Sequence, residues 1–499
     1  MARQLPLSAS LWSAAFAMLV GCTSSSNLQA EETHGTERKV AGTGPVVEED
    51  DRQPSLGTGS RGRPYLVADC PSWANLDPRL LPALPASPYR ESFSTVWRTL
   101  LKKHFDPTLD CLDWPRVRED YGRAIAEADT VEDAYRQINA MLMLLGQSHL
   151  IALPPVGLAG GEQVLERGRG GGLLPLRVRW IEDRLIVVED TQDGLHSEIP
   201  RGAELIRVRK NSMRSMIKRV RKAHGGVQGS PSSTARALAQ GAGTHLTCMP
   251  GEKIEVVYRP LGGEKRSAVV PCRKPRGDRV SLGNLHDIVT RVRWSMLGDA
   301  EEKVGYLTFN FWMVPMLARV REGLATLREQ GMRALVLDLR GNPGGVAAMA
   351  IPVGRLLLPE GGSLGTLHMR NMKQELTVLV EPGGQAFAGP VAILVDEGSA
   401  STTEIFATGM RDLGRVSIFA GGPSAGMALP SLIEILPDSG RLQYVVGEYR
   451  SPKGSRAEGA GVVVDRRVDE TREAIASGKD PVLDEAFDVL KHRLSMEPK

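Results

Sequence analysis

Beyond about residue 280 the chain alternates between two hydrophobic periods, and this restricts its fold more than any other feature. "VGYLTFNF" reads as a strand and "PMLARVREGLATLREQG" as a helix; "RALVLDLR" is a strand and "VAAMAIPVGRLLL" a helix. "PVAILVDE", "TTEIFATGMRDLG" and "RVSIFA" repeat the cycle as strand, helix and strand. Such alternation implies a mostly parallel sheet with helices packed on its faces, hence an α/β core. Ligand sites in these sheets collect at the carboxyl ends of strands. "LRGNPGG" and "EGSAST" both fall at such ends.

The remainder has other textures. At 499 residues the chain is too long for one ordinary hydrophobic core. Residues 66–155 carry apolar positions at helical spacing, in "YRESFSTVWRTLLKKHF" and "VEDAYRQINAMLMLLGQSHL", with Trp97, Leu100 and Leu101 expected in a core. Residues 156–275 turn to short alternating strands with one helical piece, "SMRSMIKRVRKA". There "GGGLLPLRV" and "IPRGAELIRVRKNSM" resemble a PDZ domain, whose glycine-led edge strand would bind a peptide by strand addition. A simple glycine linker is the alternative reading of the same stretch. The α/β core then spans residues 276–495.

The N-terminus reads as an export signal. Arg3 precedes an apolar stretch from about Leu11 to Val20, too short for a permanent membrane span. Leu19, Val20, Gly21 and Cys22 resemble the lipobox of bacterial lipoproteins, which implies lipidation of Cys22 after removal of the signal within residues 1–22. Residues 23–65 are rich in Ser, Thr, Glu, Gly and Pro and read as a flexible tether. The expectation is an exported, lipid-anchored envelope protein facing the periplasm. Export permits disulfides. Cys70, Cys111, Cys248 and Cys272 allow three pairings, of which proximity favours Cys70–Cys111 with Cys248–Cys272. A formal charge of +3 with dispersed Lys and Arg excludes the clustered basic face of a nucleic-acid binder. No Cys/His spacing and no H-E-x-x-H suggests a metal, and no cofactor motif occurs.

Ser401 follows an apolar strand and opens a helix, the placement that exposes a nucleophilic hydroxyl. Free N–H groups at a helix start favour an oxyanion, and the Thr402 amide is placed to meet one. Taken alone, helix capping by Ser399 or Ser401 explains these residues as well. The paired glycines of "LRGNPGG" let backbone N–H groups approach a ligand, although a turn explains Asn-Pro-Gly-Gly too. A serine nucleophile needs a base. Of nine histidines, His34, His104, His286 and His492 sit in tether, polar or terminal contexts, whereas Ser148-His149 closes an apolar helix.

Taken in order, "LLGQSHL", the PDZ-like segment, "GYLTFNFW", "LVLDLRGNPGG", "VDEGSASTTEIFA" and "AEGAGVVVD" resemble the C-terminal processing peptidase superfamily, closer to its tricorn-core branch. The resemblance implies a crotonase/Clp-protease-like core, with Ser401 as nucleophile and Ser399 as its structural neighbour. One branch of that family activates the serine with a lysine, but Gly426 occupies that position here. The other uses a histidine preceded by a serine and a late glutamate, which match His149, Ser148 and Glu458. Gly344 or Gly345, with Thr402, would then form the oxyanion hole. The implied activity is cofactor-free hydrolysis of protein or peptide substrates. Two rivals stand beside it. "GPSAG" satisfies G-x-S-x-G and would make Ser424 an esterase nucleophile, with Asp465 and His492 following in hydrolase order. A catalytically inactive binding lipoprotein of the same fold is the other.

Overall fold

The computed structural model describes residues 65–155, 171–188, 199–224, 231–282, 285–299, 302–370, 372 and 374–496. The expected signal, Cys22 and the tether to residue 64 lie outside them.

The α/β core is a six-stranded sheet in the order Val292–Leu297, Val304–Phe309, Ala334–Asp338, Val391–Val395, Ile418–Gly421, Arg466–Arg467. Its first pair is antiparallel and every later pair parallel. The two central strands, "ALVLD" and "VAILV", are buried at every position because helices cover both faces. Helices Met316–Glu329 and Thr402–Asp412 pack on one face through Val320, Leu324, Ile405 and Phe406. Helix Pro481–Met496 covers the other through Val482, Ala486 and Leu490.

The strand–helix alternation read from the sequence is present at each expected element. "VAAMAIPVGRLLL" is shorter than expected, a 3-10 turn Ala347–Met349 running into Ala350–Gly354. Two small antiparallel sheets were not expected. One joins Gly362–Met369 to Leu376–Val380 and Gly447–Arg450. The other joins Ser431–Ile435, Arg441–Val445 and Ile151–Leu153.

That last sheet matters for the site. The helices Arg90–Lys103, Trp114–Ala126 and Val131–Met143 form the N-terminal bundle. Trp97 and Trp114 stack at its centre, ring centroids 6.1 Å apart, and each indole N–H donates to the other's backbone oxygen at 3.0 and 3.3 Å. Leu436, Leu442 and Tyr444 of the hairpin Ser431–Val445 belong to the same buried cluster. The bundle therefore does not close a core of its own. Strand Ile151–Leu153, just beyond Ser148 and His149, pairs with Arg441–Val445 and ties this segment to the α/β core.

Between bundle and core lies a β-rich module, ordered Arg177–Ile181, Arg184–Val188, Glu204–Val208, Lys253–Arg259, Arg266–Pro271. Two helices accompany it, Met213–His224 as expected and Pro231–Leu246 in addition. The disulfides are Cys70–Cys111 and Cys248–Cys272, the pairing favoured by proximity. Among the described residues no helix is long and apolar enough to cross a membrane.

Trp97 is fully buried, so Trp97→Ala should cost about 3–5 kcal/mol in urea unfolding. A loss below ~1 kcal/mol would show that the bundle is not cemented by this pair.

Candidate active site

The strand Val391–Val395 ends in Asp396, and the chain needs only five more residues to reach the helix Thr402–Asp412. This short turn is sewn to the neighbouring "LRGNPGG" turn. Asp396 Oδ1 accepts the amides of Gly341 at 2.7 Å and Gly398 at 2.9 Å. Ser399 Oγ donates to Leu339 O at 2.8 Å, and the Ala400 amide donates to Asn342 O at 3.1 Å. Thr403 Oγ1 adds a bond to Asn342 O at 3.0 Å and accepts the Trp312 indole N–H at 2.8 Å. Gly344 must be glycine: with φ +98°, a Cβ there would lie 2.7 Å from Ser401 Cβ.

Ser401 itself has φ 55° and ψ −121°. An ordinary N-cap serine sits in the extended region, whereas this conformation is one that L-residues avoid, at a cost of about 1–3 kcal/mol. Capping alone does not account for it. A strained serine on a strand-to-helix turn is the arrangement that projects a hydroxyl into a site. His149, also at positive φ (58°), faces the same space. Both line one cavity of ≈ 580 Å³, with Arg236, Phe311 and Gly345 also on its wall.

Behind His149 stands a three-residue relay. Ser148 Oγ–H donates to Glu458 Oε2 at 2.9 Å, which leaves its lone pair to accept a hydrogen bond from His149 Nδ1–H at 2.7 Å. That fixes the Nδ1–H tautomer and leaves Nε2 with a free lone pair. Glu458 is anchored in turn by the amides of Ser148 at 3.0 Å and Ala428 at 2.8 Å. Ser401 and His149 thus line one cavity from distant stretches of chain, with Glu458 behind His149 through Ser148.

Residues 303–468 match Peptidase family S41. The matched span lies within the α/β core, which is therefore similar to the serine peptidases of that family. The Probable CtpA-like serine protease of Staphylococcus epidermidis is 29% identical over 217 residues, 42% of this chain and 43% of the relative. Carboxyl-terminal-processing peptidase 2, chloroplastic, of Arabidopsis thaliana is 26% identical over 402 residues, 79% of this chain and 70% of the relative. The chain spans 43% of the length of the first curated relatives it matches. Among solved structures, the photosystem II D1 C-terminal processing protease is 19% identical with TM-score 0.53, covering 81% of this chain and 98% of that one. Mature CPAF is 13% identical with TM-score 0.56, covering 82% and 98%. These two likenesses establish a shared fold.

Within the α/β core, the two expected oxyanion glycines separate. The Gly344 amide donates to Asn342 Oδ1 at 3.0 Å, which removes it as a donor to a ligand. Among the described residues no acceptor meets the amides of Gly345 and Thr402, and the Thr402 hydroxyl donates to Gly345 O at 2.9 Å, holding the pair together. The esterase reading is corrected by burial. Ser424 is fully buried, donates to Glu404 Oε1 at 2.5 Å, accepts the Val462 amide at 2.6 Å, and is followed by no helix. Asp465 accepts the Phe419 amide and pairs with Arg411, and His492 is exposed on the last helix.

Several residues of the site were not anticipated. Arg179, on the edge strand of the β-rich module, binds Glu397 at 2.9 and 3.0 Å and also meets Glu470 and Asp396. Arg236 donates to Gly398 O at 2.7 Å from the helix that was missed. Both clamp the module onto the turn before Ser401. Their partners are more than 150 residues away, so no local pattern marks them. Asp338 and Arg340 pair behind "LRGNPGG", Arg340 also reaching Asp480 at 2.7 Å.

The protein packed around the His149 ring, reinforced by the Arg236 guanidinium, lowers its pKa to about 4. The imidazole is therefore neutral at pH 7, as a proton acceptor must be. Removing Arg236 takes away a charge that opposes protonation. An imidazole NMR titration, assigned with His149→Gln, should place His149 below its ordinary value of about 6.5 and move it upward in Arg236→Ala. An unshifted midpoint in the wild type, or a downward move in the variant, would contradict this electrostatic picture.

Proposed function

We propose that the chain is a serine endopeptidase of the cell envelope in which Ser401 attacks peptide carbonyls, with His149 as base. The observation that carries the reading is the Glu458–Ser148–His149 relay, whose Ser148 and His149 line the cavity that holds Ser401. Nε2 of His149 takes the Ser401 proton as Oγ bonds to the carbonyl carbon, then returns it to the leaving amine. Water repeats the sequence on the acyl-enzyme. The amides of Gly345 and Thr402 receive the oxyanion, each contributing about 3 kcal/mol to barrier lowering. Glu458, acting through Ser148, stabilises the imidazolium. This is the activation expected of the tricorn-core branch, and it dispenses with the lysine that Gly426 replaces.

The same reading assigns the sheet and its helices to a crotonase/Clp-protease-like core and the β-rich module to a PDZ-like role. The names of the relatives include carboxyl-terminal processing, which suits a module that receives a peptide end on its edge strand. Protein or peptide substrates, lipid anchoring through Cys22 and a periplasm-facing position complete the proposal.

A fluorophosphonate probe tests it directly, since Ser Oγ displaces fluoride and leaves a phosphonylated serine. Wild-type protein should label on Ser401, and Ser401→Ala should lose labelling and peptidase turnover, the latter by about 10⁶-fold. Ser424→Ala should still label. Loss of labelling only in Ser424→Ala, or none in folded wild type, would overturn the assignment.

A further inference from the structure

One buried carboxyl in the core has no part in the relay. Glu404, in the first turn of the helix that Ser401 opens, is fully buried and surrounded by donors. Oε1 accepts the Ser424 hydroxyl at 2.5 Å and the Gly426 amide at 2.8 Å. Oε2 accepts the Met427 amide at 2.8 Å and the Ser401 amide at 3.2 Å. Met427 O in turn accepts the same Ser401 N–H at 2.7 Å. The carboxylate and one residue of the 424–427 loop therefore close a ring around the nucleophile's backbone nitrogen.

We infer that Glu404 is a positioning residue: its carboxylate grips the 424–427 loop and through it holds Ser401 in the strained conformation that presents the hydroxyl. The inference rests on Ser401 being the nucleophile. A strained φ/ψ persists only where surroundings over-determine it, and the Ser401 amide is the one backbone group in the turn tied to two acceptors from this network. A carboxylate is needed because four donors converge on two oxygens. A neutral amide would turn an N–H towards one of the donor pairs, and a protonated acid could keep its partners only by turning the Ser424 O–H away.

Other charged groups around this carboxyl are few. The 457–462 segment brings Glu458, which is bonded to Ala428 and Ser148, with His149 beyond. Strand Gly447–Arg450 brings Tyr449, whose hydroxyl donates to Leu364 O at 2.7 Å. Arg411 and Asp412 stand at the far end of the same helix, bonded to Asp465 and Ser451. The 424–430 loop has none. Burial accordingly dominates and raises Glu404 to about 7 despite its four donors.

The pH profile of fluorophosphonate labelling by the full chain tests this. In wild type the rate should fall as pH drops through about 7, as the carboxylate gains a proton. Glu404→Gln should label about tenfold or more slowly at alkaline pH and lose that limb, keeping only a lower one set by His149. Ser424→Ala removes one donor from the carboxylate and should move the limb to higher pH, with thermal melting showing that it folds. Wild-type rates and limb in both variants, or a uniform slowing with the limb in place, would overturn the inference. No labelling of wild type at all would instead remove the nucleophile reading on which it rests.

Discussion

The structure depends on one constraint: Ser401 occupies a backbone conformation that a serine adopts only under compulsion. Strand Val391–Val395 delivers the chain at the carboxyl edge of the parallel sheet, and helix Thr402–Asp412 must start within six residues of its end. The turn between them is pinned from three sides. Asn342 and Leu339 hold it from the "LRGNPGG" turn, Met427 from the following loop, and Arg179 and Arg236 from the β-rich module. Each bond is ordinary in strength. Their convergence on six residues is what makes the conformation stable.

The second consequence of this geometry is that no single unit of the chain contains the site. His149 comes from the helical bundle, whose core is completed by a hairpin of the α/β core. Glu458 holds the amide and hydroxyl of Ser148 on one side and the Ala428 amide on the other. It therefore fixes the bundle's last loop against the loop that also supports Ser401. A buried carboxylate is costly unless its oxygens are occupied, and here every bond that occupies them also joins separate stretches of chain.

How much of this could be read in the sequence depends on the range of the cause. The sheet was legible because the switch from alternating to helical spacing is local, and the central strands are apolar throughout for want of a solvent face. Both disulfides followed from proximity. Ser401, Ser148, His149 and Glu458 could be singled out only as a set, through resemblance, since each alone has a capping or surface explanation. Helix Pro231–Leu246 was missed because "PSSTARALAQGAGTHL" is dominated by small residues and shows little contrast between faces. The small sheets escaped because strands such as Gly362–Met369 and Gly447–Arg450 pair across a long stretch of chain. Ser424 shows the opposite failure: a local motif was present, but its hydroxyl is sealed between Glu404 and Val462. Glu404 carries no mark in the sequence beyond its place in a helix's first turn, and only its burial sets it apart.

The claim at the centre of this account is that the His149 imidazole and the Gly345 and Thr402 amides converge on an atom bonded to Ser401 Oγ. A crystal structure of the phosphonylated protein measures this directly. The account predicts the adduct on Ser401, with a phosphonyl oxygen about 2.7–3.1 Å from both amide nitrogens and His149 Nε2 within hydrogen-bond reach of the modified Oγ. An adduct whose phosphonyl oxygen turns away from both amides, with the His149 ring out of reach, would contradict it.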